Sequence, residues 1–229
     1  MDKRFLDKQW HELTVLVPAG AEYSAVKKGL RHTAGALPEI IAVPAGQAIT
    51  PFVKSLVRGN RLTENVLMMG LGGGLCGDGD IGQGVLLKQV WHAVGEPTVL
   101  SCNHGLTQQI AARLSEASVA TGVMCDRVVT TAVEKRVLGD RYHAQVVDME
   151  SFSLLQALPN HSVAILRVIS DRAEQDLPDI TQAIRPDGSL DAVNMAVSFA
   201  KRPVAALRLI TASLQALRQL TKVAECLFQ

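Results

Sequence analysis

Short apolar runs, separated by stretches with apolar residues at helical spacing, recur along most of the chain. Val-, Ile- and Leu-rich runs predict strands at residues 13–17, 40–43, 66–69, 98–101, 117–124, 145–148 and 163–169. A helix is predicted at 21–30. Continuous rather than alternating apolar runs are typical of strands covered on both faces. The pattern therefore predicts an α/β protein with a central mixed, largely parallel sheet flanked by helices.

The pattern changes after the last predicted strand. Residues 170–194 contain Pro178, Pro186 and Gly188, which predict an irregular connection. A long C-terminal helix is predicted at 203–227, since proline is tolerated in a first helical turn. Apolar residues recur there at spacings of three and four and form a stripe: Leu207, Ile210, Leu214, Leu217 and Leu220. We predict one domain over residues 1–229, with its core at 13–175.

Composition narrows the class of protein. A chain of 229 residues suits one substantial core, and 23 basic against 22 acidic residues give no basic face for nucleic acid. The first 13 residues carry charges throughout, and no run approaches the roughly 20 apolar residues of a membrane span. The four cysteines are widely spaced without a Cys-x-x-Cys pair, which favours reduced thiols. We expect a cytoplasmic protein without a nucleic-acid partner.

Carboxylates follow the ends of several predicted strands. In open α/β sheets, ligands bind where strands end at their carboxyl edge. A capping role, in which a side chain accepts backbone N–H bonds at a helix start, explains each carboxylate singly. Their joint occurrence instead indicates a site, formed by these residues: Glu22, Asp126, Asp148, Glu150 and Asp171.

The glycine run at 70–74 is followed by Leu75, so it lacks the G-x-G-x-x-G spacing of a dinucleotide site. It also lacks the Lys-Ser/Thr of a P-loop. The run predicts a backbone that approaches a ligand closely or turns sharply. The histidines show no metal-ligand spacing, and no Gly-x-Ser-x-Gly elbow is present. We therefore expect no metal and no organic cofactor.

Two motifs carry a specific resemblance. Residues 146–151 (VVDMES), followed by 166–171 (LRVISD), resemble the superfamily of purine nucleoside phosphorylases and methylthioadenosine/adenosylhomocysteine nucleosidases. In that superfamily a Met-Glu pair ends one strand and Arg-x-Ile-Ser-Asp ends the next. The glycine run, the Gly-Asp-Ile-Gly at 79–82 and Glu22 follow the same order. The resemblance implies a single-domain phosphorylase/hydrolase-like fold that cleaves the N-glycosidic bond of a purine, here adenine, nucleoside.

The resemblance also implies roles for individual residues. Asp171 would donate a proton to N7 of the leaving purine, which requires a pKa raised by a poorly solvated pocket. Glu22 would orient or deprotonate an attacking water. Glu150 would accept hydrogen bonds from the ribose hydroxyls, and Met149 would cover the ribose face. The remaining substrate-binding positions that it implies are Val128 and Val129 against the base, and Gly70, Leu71, Gly72 and Ser170.

One departure concerns the nucleophile. Hexameric bacterial phosphorylases place an Arg and a Ser around the glycine loop to hold phosphate, whereas Met68 and Leu71 stand there in this chain. Neither side chain binds an anion, so hydrolysis is favoured. A phosphorylase that uses inorganic phosphate as co-substrate remains an alternative, because phosphate could be bound elsewhere by Arg31, Arg58 or Arg61. A non-catalytic nucleoside-binding protein is the third alternative. It is disfavoured because binding alone does not require both an acid and a water-activating carboxylate.

The C-terminal part, from residues 184–188 through 201–203 to the Leu-rich helix, resembles a subgroup linked to hopanoid lipid synthesis. That subgroup is held to remove adenine from adenosylhopane, which makes an adenosyl lipid a candidate substrate. Residues 201–229 contain five basic residues and one acid, a net charge of +4. A basic amphipathic helix can contact an anionic membrane peripherally. Packing on the sheet or at a subunit contact is the interpretation that we favour, and we expect a homo-oligomer.

Overall fold

The structure is a computed structural model that describes residues 12–31, 37–77, 80–178 and 203–229. Its strands are β1 (Leu13–Pro18), β2 (Glu39–Val43), β3 (Asn65–Gly74), β4 (Gly84–His92), β5 (Thr98–Ser101), β6 (Ser118–Met124), β7 (Val146–Asp148) and β8 (Ser162–Asp171). Its α-helices are α1 (Ala21–Leu30), α2 (Ile49–Arg58), α3 (His104–Ala111), α4 (Ala132–Tyr142), α5 (Ser151–Ala157) and α6 (Pro203–Phe228). The 3-10 turn Gly46–Ala48 precedes α2.

The strands form one mixed sheet that closes on itself. Parallel pairs join β2 to β1, β1 to β3, β3 to β8, β4 to β6 and β6 to β7. Antiparallel pairs join β3 to β7, β4 to β5 and β4 to β8. The succession β3–β8–β4–β6–β7 returns to β3, so five strands form a ring. The predicted α/β fold with a mixed, largely parallel sheet is confirmed.

Apolar layers cover both faces of this sheet. Along β8, Leu166 and Val168 belong to the layer beneath α1 and α6, whereas Ile165 and Ile169 belong to the opposite layer. Successive side chains of a strand point to opposite faces. The alternation therefore puts Arg167 on the face of Ile165 and Ile169, inside an otherwise apolar strand.

The glycine run does not turn sharply, because β3 continues through it to Gly74. A Cβ at Gly72 would lie 2.7 Å from Val146 Cγ1, and one at Gly74 would lie 2.9 Å from the Asp171 carbonyl oxygen. Both distances are too short for a side chain. Glycine is therefore required here because β3 passes close to β7 and β8.

Strand β4 was not predicted from the sequence. Its apolar run is interrupted after Leu87 by Lys88 and Gln89, and the pairing with β6 shifts register at the same point. A bulge of this kind breaks the regular pattern by which strands are recognised. Helices α2 to α5 were also not assigned individually.

Helix α6 packs on α1 and β8, which confirms that it covers the sheet. Of the predicted stripe, Leu220 is buried, but Leu207, Ile210 and Leu214 are 64%, 42% and 50% exposed. The side chains that face the core are mainly small: Ala206, Ala212, Ala216, Leu220, Ala224, Leu227 and Phe228. Small residues allow close approach, and a Cβ at Gly29 would lie 2.4 Å from the Thr221 carbonyl oxygen.

Two sequence predictions reach beyond these ranges. The irregular connection at 170–194 falls mostly outside the described residues, as do Gly79, Lys201 and Arg202. Within the described ranges, no helix has both the length and the apolar character to cross a membrane.

Candidate active site

Polar side chains gather towards the carboxyl ends of the parallel strands β1, β3 and β8, where β7 lies antiparallel to β3. Glu22 lies in the first turn of α1, directly after β1. Gly70 of β3 lies in register with Arg167 of β8. Glu150 immediately precedes α5, two residues after the end of β7. The order of the strands thus brings together residues that are far apart in the sequence.

Arg167 is the centre of this group. Its side chain is fully buried; Nε donates to Asp148 Oδ2 at 2.7 Å and Nη2 donates to Glu150 Oε2 at 3.1 Å. Burial alone would lower the pKa of Arg167, but Asp148, Glu150 and Glu22 outweigh it and hold the pKa above its ordinary value. Arg167 is therefore a permanent cation. Its Nη1 has no hydrogen-bond partner among the described residues.

Glu150 is fixed from two sides. Besides the bond from Arg167, its Oε1 accepts a hydrogen bond from the Gly46 N–H at 2.8 Å. Burial raises the pKa of Glu150, and the charge of Arg167 opposes that rise. A carboxylate has about four acceptor sites, so Glu150 retains capacity for further donors. Met149 beside it is half-buried, with its methyl group 3.6 Å from where a Cβ on Gly46 would lie.

Glu22 reaches the same place from α1. Its Oε2 accepts a hydrogen bond from the Leu71 N–H at 2.7 Å. A Cβ at Gly70 would lie 2.5 Å from this oxygen and 2.5 Å from Arg167 Nη1. The absence of a side chain at Gly70 therefore lets a carboxylate oxygen and an unpaired guanidinium donor face one small space. Burial raises the pKa of Glu22 to about 7, against the opposing charge of Arg167.

Asp171 forms a second group at the end of β8. Its Oδ2 accepts a hydrogen bond from Lys135 Nζ at 2.5 Å, and its Oδ1 lies 2.7 Å from the Ser170 hydroxyl. The Ser170 hydroxyl also lies 3.2 Å from the Gly72 carbonyl oxygen. A register shift between Gly72 and Gly73 places Asp171 beside Gly73. Asp171 borders a cavity of about 620 Å³, which extends to the first turns of α6 at Pro203, Ala205 and Leu209.

The structure places the sequence-predicted residues in two neighbouring groups. Glu22, Gly70 and Glu150 lie around Arg167, with Leu71 and Met149 next to them. Ser170 and Asp171 lie at the end of β8, beside Gly72. The loop after β6 carries Val128, which is half-buried, and Val129, which is 3% exposed and packs with Val123 and Val147. Val129 thus belongs to the apolar core. Asp126 lies outside both groups, 3.7 Å from His92 Nε2.

Two residues of these groups were given no role from the sequence: Arg167, although it is part of the LRVISD motif, and Lys135. A lone arginine within a Val-, Ile- and Leu-rich strand was the available signal for Arg167. The arginines considered for phosphate lie elsewhere: Arg58 and Arg61 precede β3, at the amino-terminal edge of the sheet. Arg61 is exposed and pairs with Glu39 at 3.2 Å. Arg31 lies at the carboxyl end of α1, the opposite end from Glu22.

No known family profile and no curated protein matches the sequence. Solved structures do match over nearly the whole chain. The 5′-methylthioadenosine/S-adenosylhomocysteine nucleosidase of Helicobacter pylori, bound to butyl-thio-DADMe-Immucillin-A, is 15% identical, with a TM-score of 0.65 over 92% of this chain and 96% of that one. The 5′-methylthioadenosine/S-adenosylhomocysteine nucleosidase of Neisseria meningitidis, in complex with methylthio-immucillin-A, is also 15% identical. Its TM-score is 0.65, and the match covers 93% of this chain and 98% of that one.

Futalosine hydrolase of Helicobacter pylori is also similar, at 14% identity and a TM-score of 0.63, covering 90% of this chain and 98% of that one. The protein therefore has the α/β fold of these nucleosidases. The resemblance drawn from the two sequence motifs is confirmed at the level of the fold.

Proposed function

We propose that this protein is an enzyme that hydrolyses the N-glycosidic bond of a purine nucleoside. One observation carries the proposal: at Gly70, Glu22 Oε2 and the unpaired Nη1 of buried Arg167 face the same space, next to Glu150. A buried donor without a partner is costly unless a ligand or water satisfies it. An acceptor and a donor so placed suit a water molecule that attacks the sugar.

The chemistry assigns a role to each group. Breaking the bond between ribose and purine builds positive charge on the sugar and negative charge on the base. Glu150 accepts hydrogen bonds from ribose hydroxyls and favours the developing cation, while Met149 covers the sugar face. Asp171 delivers a proton to N7 of the base, so that a neutral purine leaves. Glu22, once ionised, takes a proton from the water as its oxygen bonds to C1′.

The charges near Gly70 favour water over phosphate as the nucleophile. Among the described residues, Arg167 is the cation that lies there, and it is already bound by Asp148 and Glu150. With both carboxylates ionised these three groups sum to −1, and the sum including Glu22 becomes −2 once Glu22 is ionised. A phosphate dianion in this poorly solvated place would meet net repulsion. We therefore propose a hydrolase that needs neither inorganic phosphate nor another cofactor.

The finer substrate proposal is an adenine nucleoside with a long apolar 5′ substituent, such as an adenosyl lipid. The cavity beside Asp171 extends to the start of α6. Three apolar side chains of the same helix are exposed: Leu207, Ile210 and Leu214. Arg208, Arg218 and Lys222 are exposed on the same helix. A cytoplasmic enzyme could meet an anionic membrane with this surface. A second copy of the chain is the other occupant to be tested.

The test of the function is release of free adenine, followed by chromatography, from adenosine, methylthioadenosine and an adenosine with a long 5′-alkyl chain. Glu150→Gln should lower the rate strongly, whereas Glu39→Gln, which alters an exposed pair remote from the site, should not. Release from none of the three nucleosides would contradict the proposal.

A separate measurement addresses the surface of α6. Liposome co-sedimentation should weaken in a Leu207→Ser/Leu214→Ser variant and with rising salt. Sedimentation velocity of the same variant tests self-association. Removal of the whole helix is unsuitable, because Ala216, Leu220 and Ala224 belong to the core.

A further inference from the structure

A buried lysine lies directly behind the proposed acid. Lys135, on α4, has no exposed surface, which is rare for lysine unless it is paired. Its Nζ donates to Asp171 Oδ2 at 2.5 Å, to the Arg172 carbonyl oxygen at 2.8 Å and to the Gln175 carbonyl oxygen at 3.2 Å. An ammonium group has three donors, and all three are used. The geometry therefore suits the charged form of Lys135.

We infer that Lys135 is a positioning residue that supplies, through Asp171, the proton that the leaving purine takes up. The inference rests on the proposed function. It explains how a carboxylate that faces a cation at 2.5 Å can serve as an acid: the proton is held on the lysine, and Asp171 conducts it. Ser170 steadies Oδ1, so that Oδ2 is the oxygen that exchanges the proton.

As the C1′–N9 bond breaks, its electron pair moves onto the base. Oδ2 of Asp171 takes a proton from Lys135 Nζ and passes it to N7 of the base, so an N–H bond breaks at the lysine and forms at the purine. The water oxygen bonds to C1′ and Glu22 accepts the water proton. Lys135, left as an amine, regains a proton from solvent after the products leave, and Glu22 loses one.

Most other charged groups near Lys135 and Asp171 are bound to other partners. Arg172 pairs with Asp80, and Asp176 accepts from the Ala132 N–H. On α4 itself, Glu134 pairs with Arg127. Glu174, from the turn after β8, and Arg208, from α6, border the same cavity as Asp171. Lys135 is the cation in direct contact with Asp171, so its proton is the nearest supply.

The test compares two leaving groups. Adenosine requires protonation of its base, whereas 4-nitrophenyl riboside releases a phenolate that is stable without a proton. In Lys135→Met, kcat for adenosine should fall by about 10²–10⁴-fold, the usual contribution of a general acid. The fall for 4-nitrophenyl riboside should be at least tenfold smaller than that for adenosine. Arg136→Met removes a neighbouring exposed charge from α4 and should leave both rates near those of the wild type.

Equal falls for the two substrates would overturn the inference, because Lys135 would then only hold the structure. If Lys135→Met does not fold, the same two substrates are compared in Lys135→Arg, which keeps a positive charge but does not release a proton. A fall for adenosine at least tenfold larger than the fall for 4-nitrophenyl riboside would support the inference, and equal falls would overturn it. A wild type that cleaves neither substrate would instead contradict the proposed function itself.

Discussion

The pH dependence of the proposed hydrolysis follows from the position of Glu22. Burial raises the pKa of this carboxyl from 4.5 to about 7, even though Arg167 opposes the rise. Glu22 must be ionised to take a proton from the attacking water. For a carboxyl with a raised pKa, the active form appears only as the pH rises through that value. Hydrolysis should therefore be weak in mild acid and should rise towards a plateau above neutrality.

The size of the effect can be worked out from this pKa. With a single ionisation near 7, kcat/KM should fall to about one tenth of its plateau at pH 6 and about one hundredth at pH 5. An unperturbed glutamate, with a pKa of 4.5, would leave kcat/KM almost unchanged between pH 6 and 8. Because kcat/KM reports ionisations of the free enzyme, it is the parameter to measure.

The assay is adenine release at substrate concentrations well below KM, from pH 5 to 8. Glu22→Gln keeps an acceptor for the Leu71 N–H but cannot ionise. It should lower kcat/KM by about 10²–10⁴-fold and remove the acid limb. A wild-type profile that is flat between pH 5 and 8 would refute this reasoning. An acid limb that survives in Glu22→Gln would assign the ionisation to Glu150, whose pKa burial also raises.

Three further outcomes are expected. Asp171→Asn should lower the rate of adenine release by about 10²–10⁴-fold, with little change in substrate affinity measured by calorimetry. Near-normal turnover would show that Asp171 is not the general acid. Gly70→Ala should lower both activity and melting temperature, because the new Cβ would lie 2.5 Å from Glu22 Oε2 and from Arg167 Nη1. Gly105→Ala is the control and should change neither, because its Cβ would lie 3.5 Å from the nearest atom, Asn103 Oδ1. Arg167→Met should lower the free energy of unfolding, measured in urea, by about 3–5 kcal/mol, because it leaves the buried carboxylates of Asp148 and Glu150 unpaired. A variant as stable as the wild type would show that these ion pairs do not stabilise the fold.

The sequence was informative where local chemistry decides the structure. Apolar runs located seven of the eight strands among the described residues, because buried strands need continuous apolar side chains. Carboxylates at strand ends pointed to Glu22 and Asp171, because the parallel strands β1, β3 and β8 bring their carboxyl ends to one edge. They also pointed to Glu150, although β7 runs antiparallel to β3. The interrupted run of β4 and the antiparallel pairing of β7 to the end of β3 gave no local signal.

Contacts that depend on register were not predictable. Arg167 lies beside Gly70 only because β3 and β8 pair in that register, with a shift after Gly72. On α4 the usual pattern is reversed: Lys135 is buried, whereas Val133 and Val137 are 74% and 56% exposed. An amphipathic interpretation of this helix would place the valines inside and the lysine in solvent. The ion pair with Asp171 compensates the burial, and it comes from a strand 36 residues further along the chain.

The central claim is that water, not phosphate, attacks a nucleoside held between Glu22, Glu150 and Asp171. The most direct test is adenosine turnover in phosphate-free buffer and in buffer with about 50 mM inorganic phosphate, with phosphorus NMR of the products. At that concentration even a phosphate site with a Kd of roughly 1 mM would be nearly saturated. The charges around Arg167 predict equal adenine release in both buffers and no ribose 1-phosphate signal. A requirement for phosphate, with ribose 1-phosphate formed in step with adenine, would contradict the claim.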